Sequence, residues 1–182
     1  ELRGARLHYG SAGIQRKWRI PLVDAVEFAP SELPIHPYIL GVLLGDGSLT
    51  EGTASWTKND PEIAARVAMH LPPAMKVARH DKPDGKATEW AVVNEARSGH
   101  TANPVSAAIR KLGLNVRSAD KFVPREYLFA SIADRIALLQ GLMDTDGYCG
   151  DPTPEFTSSA RALADAVVFL VQSLGGIATL GF

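Results

Sequence analysis

Apolar residues are unevenly spread along the chain, and two of the densest stretches share one pattern. Tyr38 to Gly47 reads YILGVLLGDG, and Leu138 to Gly147 reads LLQGLMDTDG. In each, small residues stand four apart, Gly41 and Gly45 in the first and Gly141 and Thr145 in the second, which puts them on one face of a helix. Two such faces can pack with their backbones unusually close. Leu40, Leu43 and Leu44, and likewise Leu138, Leu142 and Met143, make each helix apolar over most of its girth, so both are expected in the core. Gly47 and Gly147 follow, and predict a left-handed stop just after each C-cap.

The intervening pattern predicts shorter elements. His36-Pro37 starts the first core helix, because a missing N–H is no loss in a first turn. Thr53 to Lys58 reads as a strand with Trp56 opposite Thr57, and Asn59-Asp60-Pro61-Glu62 starts a helix whose apolar face is Ile63, Val67 and Leu71, ended by Pro72-Pro73. Met75 to Arg79 and Thr88 to Val93 flank a turn, Lys82-Pro83-Asp84-Gly85-Lys86, that predicts a β-hairpin. Asn103-Pro104 caps a helix that reaches Leu112 and stops at Gly113. Ser131 to Asp134 has the form of a capping box for the second core helix. The first 30 residues begin no core helix and hold one short strand-like piece, Lys17 to Asp24, interrupted by Pro21.

The second half repeats the first at an offset of 100 residues: Gly141, Asp146, Gly147, Thr157, Ala164 and Val167 repeat Gly41, Asp46, Gly47, Thr57, Ala64 and Val67. Phe156 stands for Trp56, and the repeated helix is expected from about Ser159 to Leu174. The second copy stops at Phe182 without counterparts of the hairpin and closing helix, so the chain reads as a fragment.

Asp46 and Asp146 are the odd residues in these helices. They set carboxylates at helix C-termini, where the macrodipole disfavours an acid by roughly 0.3–1 kcal/mol. If the helices pack side by side the acids converge and repel, so something cationic should sit between them. A hard divalent ion fits, since Mg²⁺ takes oxygen ligands from a few carboxylates, carbonyls and water. Asp-Gly as a bare turn dipeptide is the alternative, weaker for two matched copies than for one.

Of 182 residues, 46% are hydrophobic and 21% charged, which suits one globular unit rather than a disordered chain. The net charge is −1, yet the charges are segregated. Residues 1–20 hold five Lys/Arg against Glu1 alone, and residues 76–121 hold nine against five acids. Local positive faces can therefore exist on a nearly neutral protein. Cys149 is the only cysteine, which excludes an intrachain disulfide and a thiolate zinc site. There is no signal peptide and no apolar run long enough to span a bilayer, so a soluble, cytoplasmic protein is expected, with no membrane partner.

The stretches Leu139 to Gly147 (LQGLMDTDG) and Ile39 to Gly47 (ILGVLLGDG) resemble the LAGLIDADG, or dodecapeptide, homing endonuclease family, the first closely and the second more loosely, with Leu44 where the signature has its earlier acid. The resemblance implies an α+β fold: tandem pseudo-symmetric αββαββα repeats with two central dodecapeptide helices and antiparallel DNA-binding sheets, the second repeat truncated. It divides the chain into a basic lead segment at 1–33, a first repeat at 34–120 and an incomplete second repeat at 121–182. It implies site-specific, metal-dependent hydrolysis of double-stranded DNA, with Mg²⁺ held by Asp46, Asp146 and the carbonyls of Gly45 and Thr145, and Mn²⁺ as a substitute. The segment from Lys121 to Leu128 resembles the family's lysine block, which makes Lys121 the candidate catalytic lysine; a surface lysine is the alternative. DNA contact would fall to Lys58, Lys76, Arg79, His80, Lys82 and Lys86, which a solvated charged hairpin would equally explain. The lead segment resembles the region before the endonuclease in inteins of replicative helicases, or is a solvated basic arm. In an intein, the host protein would be the partner in cis.

Two sequential copies suggest a monomer. The alternative function is a non-cleaving, maturase-like nucleic-acid-binding relic of the same fold. The chain has no Walker loop, no Gly-x-Ser-x-Gly elbow and no zinc spacing, and none of His8, His36, His70, His80 and His100 is assigned a ligand role. The residues needed for protein splicing are absent at Glu1 and Phe182, so this stretch alone is not expected to splice.

Overall fold

The computed structural model describes residues 6–8, 14–16, 21–50, 52–82, 87–95, 103–150 and 153–181. It is a mixed α+β protein. Among the described residues the order is β1 (Arg6–His8), β2 (Ile14–Arg16), α1 (Pro37–Asp46), β3 (Gly47–Ser48), β4 (Ser55–Thr57), α2 (Pro61–Met69), β5 (Met75–His80), β6 (Glu89–Asn94), α3 (Pro104–Lys111), α4 (Arg125–Leu128), α5 (Ile132–Asp146), β7 (Gly147–Cys149), β8 (Pro154–Phe156) and α6 (Arg161–Ser173).

The predicted starts and stops follow side-chain chemistry. Asp60 accepts from Glu62 N at the head of α2, Asn103 from Val105 N and Ser106 N at the head of α3, and Ser131 Oγ from Asp134 N at the head of α5. In the last case the reciprocal bond goes side chain to side chain, Ser131 Oγ donating to Asp134 Oδ2 at 2.6 Å. Gly113, at φ 71°, ends α3 as expected. The strand expected across residues 17–24 does not form at 21–24, which run irregularly, and residues 17–20 lie outside the described set.

Helices α1 and α5 form the centre, side by side and in the same direction. A Cβ on Gly41 would come within 2.9 Å of Leu142 N and 3.0 Å of Gly141 Cα. One on Gly141 would meet Val42 N and Gly41 Cα at the same two distances. Only glycine fits at this crossing. Gly45 lies against the Thr145 side chain one turn further on. Every residue of α1 from Pro37 to Leu44 is buried.

Gly47 and Gly147 are not left-handed. Their φ/ψ are −86°/149° and −88°/151°, extended backbone that leads straight into β3 and β7. Glycine is required there by proximity: a Cβ would lie 2.7 Å from Leu43 Cα at Gly47, and 2.8 Å from Met143 Cα at Gly147. The strands then fold back in matching register, Gly47 opposite Trp56 and Gly147 opposite Phe156.

The strands after α1 belong to an antiparallel sheet of order β3-β4-β6-β5, whereas β7 and β8 pair only with each other. Met75, Trp56, Trp90 and Val92 face the core side of the larger sheet, where α1 packs against β4 and α2 against β5, and the α3 cap residue Asn103 donates from Nδ2 to Val92 O at 2.6 Å. Residues 21–30 run over the second half, where Val26 N donates to Ser173 O at 2.8 Å and Phe28 packs edge-on to Phe129 at 5.1 Å. Beneath them Arg135, fully buried, donates to the carbonyls of Ala130, Ser173 and Val26 and lies over the Phe28 ring.

Candidate acid-pair site at the helix seam

Because α1 and α5 run in parallel and cross at glycines, they end together, and their last residues are Asp46 and Asp146. Asp146 Cγ is 3.7 Å from the point where a Gly45 Cβ would stand, so the acid of one helix lies against the last turn of the other. Burial pushes both carboxyls above the usual carboxylate range. Around Asp46 the ammonium of Lys58 opposes that shift, Asp146 adds to it and Lys121 opposes it. Around Asp146 the opposing charges are Lys121 and then Lys58.

Two lysines of the chain stand beside the acids. Lys121 is 4% exposed, and its Nζ donates to Leu43 O at 3.3 Å, Gly45 O at 3.0 Å and Gly47 O at 2.8 Å. Those three bonds use all three of its donors, so it ties the last turn of α1 to the start of β3. Burial lowers its pKa, with Asp146 and Asp46 pulling the other way. Lys58 reaches the last turn of α5, donating to Thr145 O, with its Nζ 4.0 Å from Asp46 Oδ2 and its side chain 34% exposed.

Of the residues singled out in sequence, Gly41, Gly45, Gly141, Thr145, Asp46, Asp146 and Lys121 are brought together. Lys58, assigned above to DNA contact, stands with them at the acids. Its position follows from register: Gly47 pairs with Trp56, so the residue two beyond Trp56 must return to the end of α1. Lys76, Arg79, His80 and Lys82 lie along the hairpin, exposed. Strand alternation puts Lys76 and His80 on the open face, while Arg79 sits on the other, ion-paired to Asp81 at 2.8 Å and 5.7 Å from the Trp90 ring centre. Lys82 pairs with Glu89 at 3.4 Å. Lys86 lies outside the described residues. Between hairpin and helix end is a hollow of about 480 Å³ lined by Asp46, Lys121, Thr57, Lys82 and Glu89 among others, and Asp46 also borders a neighbouring hollow of about 620 Å³.

Sequence reasoning missed a second network. Asp144, the earlier acid of the second stretch, faces away from the pair and accepts from Tyr38 Oη at 2.6 Å and from Arg66 Nη1 at 2.8 Å, tying α1, α2 and α5 together. It is a structural acid, and Leu44 can hold its place in the first stretch because α1 buries that face. His36 and His70 stack 3.7 Å apart, and His36 Nδ1 accepts from Tyr38 N at the head of α1.

The donors at the acid pair suit a small hard cation. Among the described residues no three His, Cys, Asp or Glu side chains group as a metal cage, so the set is two carboxylates with the carbonyls of Gly45 and Thr145. All are oxygens, and the adjoining hollow leaves room for water ligands, a donor set that suits Mg²⁺ or Mn²⁺.

The chain is 31% identical over 152 residues to the replicative DNA helicase DnaB of Mycobacterium intracellulare, an alignment covering 83% of this chain and 21% of that protein. No family model matches the chain. Among the described residues no helix is long and apolar enough to cross a membrane.

Proposed function

We propose that this chain is the endonuclease portion of an intein, lodged in a replicative DNA helicase, that cuts double-stranded DNA by metal-dependent phosphodiester hydrolysis. The observation that carries the reading is the meeting of Asp46 and Asp146 at the ends of two parallel helices whose backbones touch at Gly41 and Gly141. The helicase likeness supports the context: the match covers most of this chain but 21% of that protein, as a segment inserted into a longer protein would. On this reading the two helix–strand–strand–helix halves are a duplicated unit.

A bound Mg²⁺ would supply Lewis acidity and a water more acidic than bulk. Asp46, Asp146 and the carbonyls of Gly45 and Thr145 would hold it. Lys121 would act as a fixed positive charge under the scissile phosphate, since its three N–H groups already bind two carbonyls of α1 and one of β3. Lys76 and His80, on the open face of the sheet, would meet the duplex directly, and Lys82 on exchange of its exposed partner Glu89.

A specific observation favours the second reading, a non-cleaving DNA-binding module. Both carbonyls expected to serve as ligands accept from lysines, and two ammonium groups balance the two acids. Incubating the protein and Mg²⁺ with a plasmid that joins the sequences flanking the insertion point separates the two. Linear product from the natural chain, absent with Asp146→Asn, supports the endonuclease. DNA binding without cutting supports the module, and neither binding nor cutting overturns both.

A further inference from the structure

The two lysines at the acid pair are held very differently. Lys121 is sealed by three carbonyls at 4% exposure. Lys58 is one-third exposed and, among the described residues, makes one hydrogen bond from its ammonium, to Thr145 O, with Asp46 Oδ2 at 4.0 Å. The root of Lys58 is nevertheless fixed, because its N–H donates to Thr88 O at 2.9 Å and its carbonyl accepts from Trp90 Nε1 at 2.8 Å. A long flexible stem on a fixed root lets the ammonium swing out toward solvent without moving the strand. The duplicated half offers no copy, since the residue at the same offset is Ser158.

We infer that Lys58 is a displaceable internal counter-ion that competes with the divalent cation for the acid pair. This rests on the metal-dependent reading above. The ammonium covers Thr145 O, one of the hard oxygens a divalent ion would use, and its charge repels an arriving cation beside Asp46. Lys121 cannot move aside in this way without baring three carbonyls. Loading of the site therefore requires Lys58 to leave Thr145, and nearby phosphates would give the released ammonium a new partner. DNA and metal would then bind cooperatively through one side chain.

The test is Mn²⁺ binding to the full chain without DNA, followed by the loss of the free-ion electron paramagnetic resonance signal, with circular dichroism to confirm folding. Lys58→Met removes the charge and keeps the stem; Lys58→Arg keeps the charge. The expected result is binding about tenfold tighter in Lys58→Met, near-natural binding in Lys58→Arg, and loss of binding in Asp46→Asn. Binding by Lys58→Met equal to or weaker than natural, still abolished by Asp46→Asn, overturns the counter-ion role and leaves the metal site standing. No Mn²⁺ binding in any form, or binding untouched by Asp46→Asn, overturns both.

Discussion

Helices α1 and α5 share a motif, a direction and a crossing point, and differ in what holds their ends. At the far end α1 is sealed under Lys121, whereas at α5 Lys58 takes Thr145 O alone and Thr157 N takes Asp146 O at 3.3 Å. At the near end α1 starts on the ring nitrogen of His36 and α5 on the hydroxyl of Ser131. The first half goes on to build a four-stranded sheet, while β7 and β8 stand as a pair with Tyr148 69% exposed. A repeated sequence pattern here gives a repeated backbone with unequal supports, so two matched acids need not make two equivalent sites.

The largest effect should come where the helices are most alike. Gly41→Val and Gly141→Val each push a side chain into the opposite backbone, and each should cost at least about 3 kcal/mol, equally, in urea unfolding. Unequal losses would show that the crossing is less symmetric than the matched approaches at the two glycines. Next comes Arg135→Met, which strips the carbonyls of Ala130, Ser173 and Val26 of a buried donor and should cost on the order of 3 kcal/mol. Proteolysis within residues 21–30 should rise with it.

The two lysines sharpen the contrast at the other end. Lys121→Met removes three hydrogen bonds and should lose about 2–3 kcal/mol, against under about 1 kcal/mol for Lys58→Met, both read from urea midpoints. Similar losses would mean that both lysines are structural. The smallest effect separates the helix starts. Burial, then His70, holds His36 below the usual histidine range, with Asp134 opposing. The unfolded chain therefore takes up this proton at a higher pH than the folded one, so stability is complete above about pH 6.5 and declines as pH falls through that range. Amide protection at the first turn of α1, corrected for the intrinsic slowing of exchange at low pH, should fall on acidification, that at the first turn of α5 should not, and His36→Ser should flatten the difference.

The starts, stops and packing faces of most elements were legible because they depend on local chemistry. Asn103, Asp60 and Ser131 cap as their side chains require, and the four-residue spacing of Gly41 and Gly45 announced the seam. Arg135 could have been found the same way, since it shares the spacing of the buried positions Leu138, Leu142 and Thr145 and had to be a core cation. Gly47 and Gly147 misled because the usual glycine stop is conformational, and here the reason is the proximity of the strand to the preceding turn. The role of Lys58 was hidden because it depends on pairing register and on α5 lying alongside, neither of which is written in neighbouring residues.

The docking of residues 21–30 also bears on how the chain matures. Val26 is synthesised well before its partners, Arg135, 109 residues later, and Ser173. Contacts of such sequence separation close late in folding, so this strap must wait until nearly the whole second half has been synthesised and folded. A nascent chain arrested between Arg135 and Ser173 would leave the Val26 N–H without its acceptor and the strap fastened on one side only.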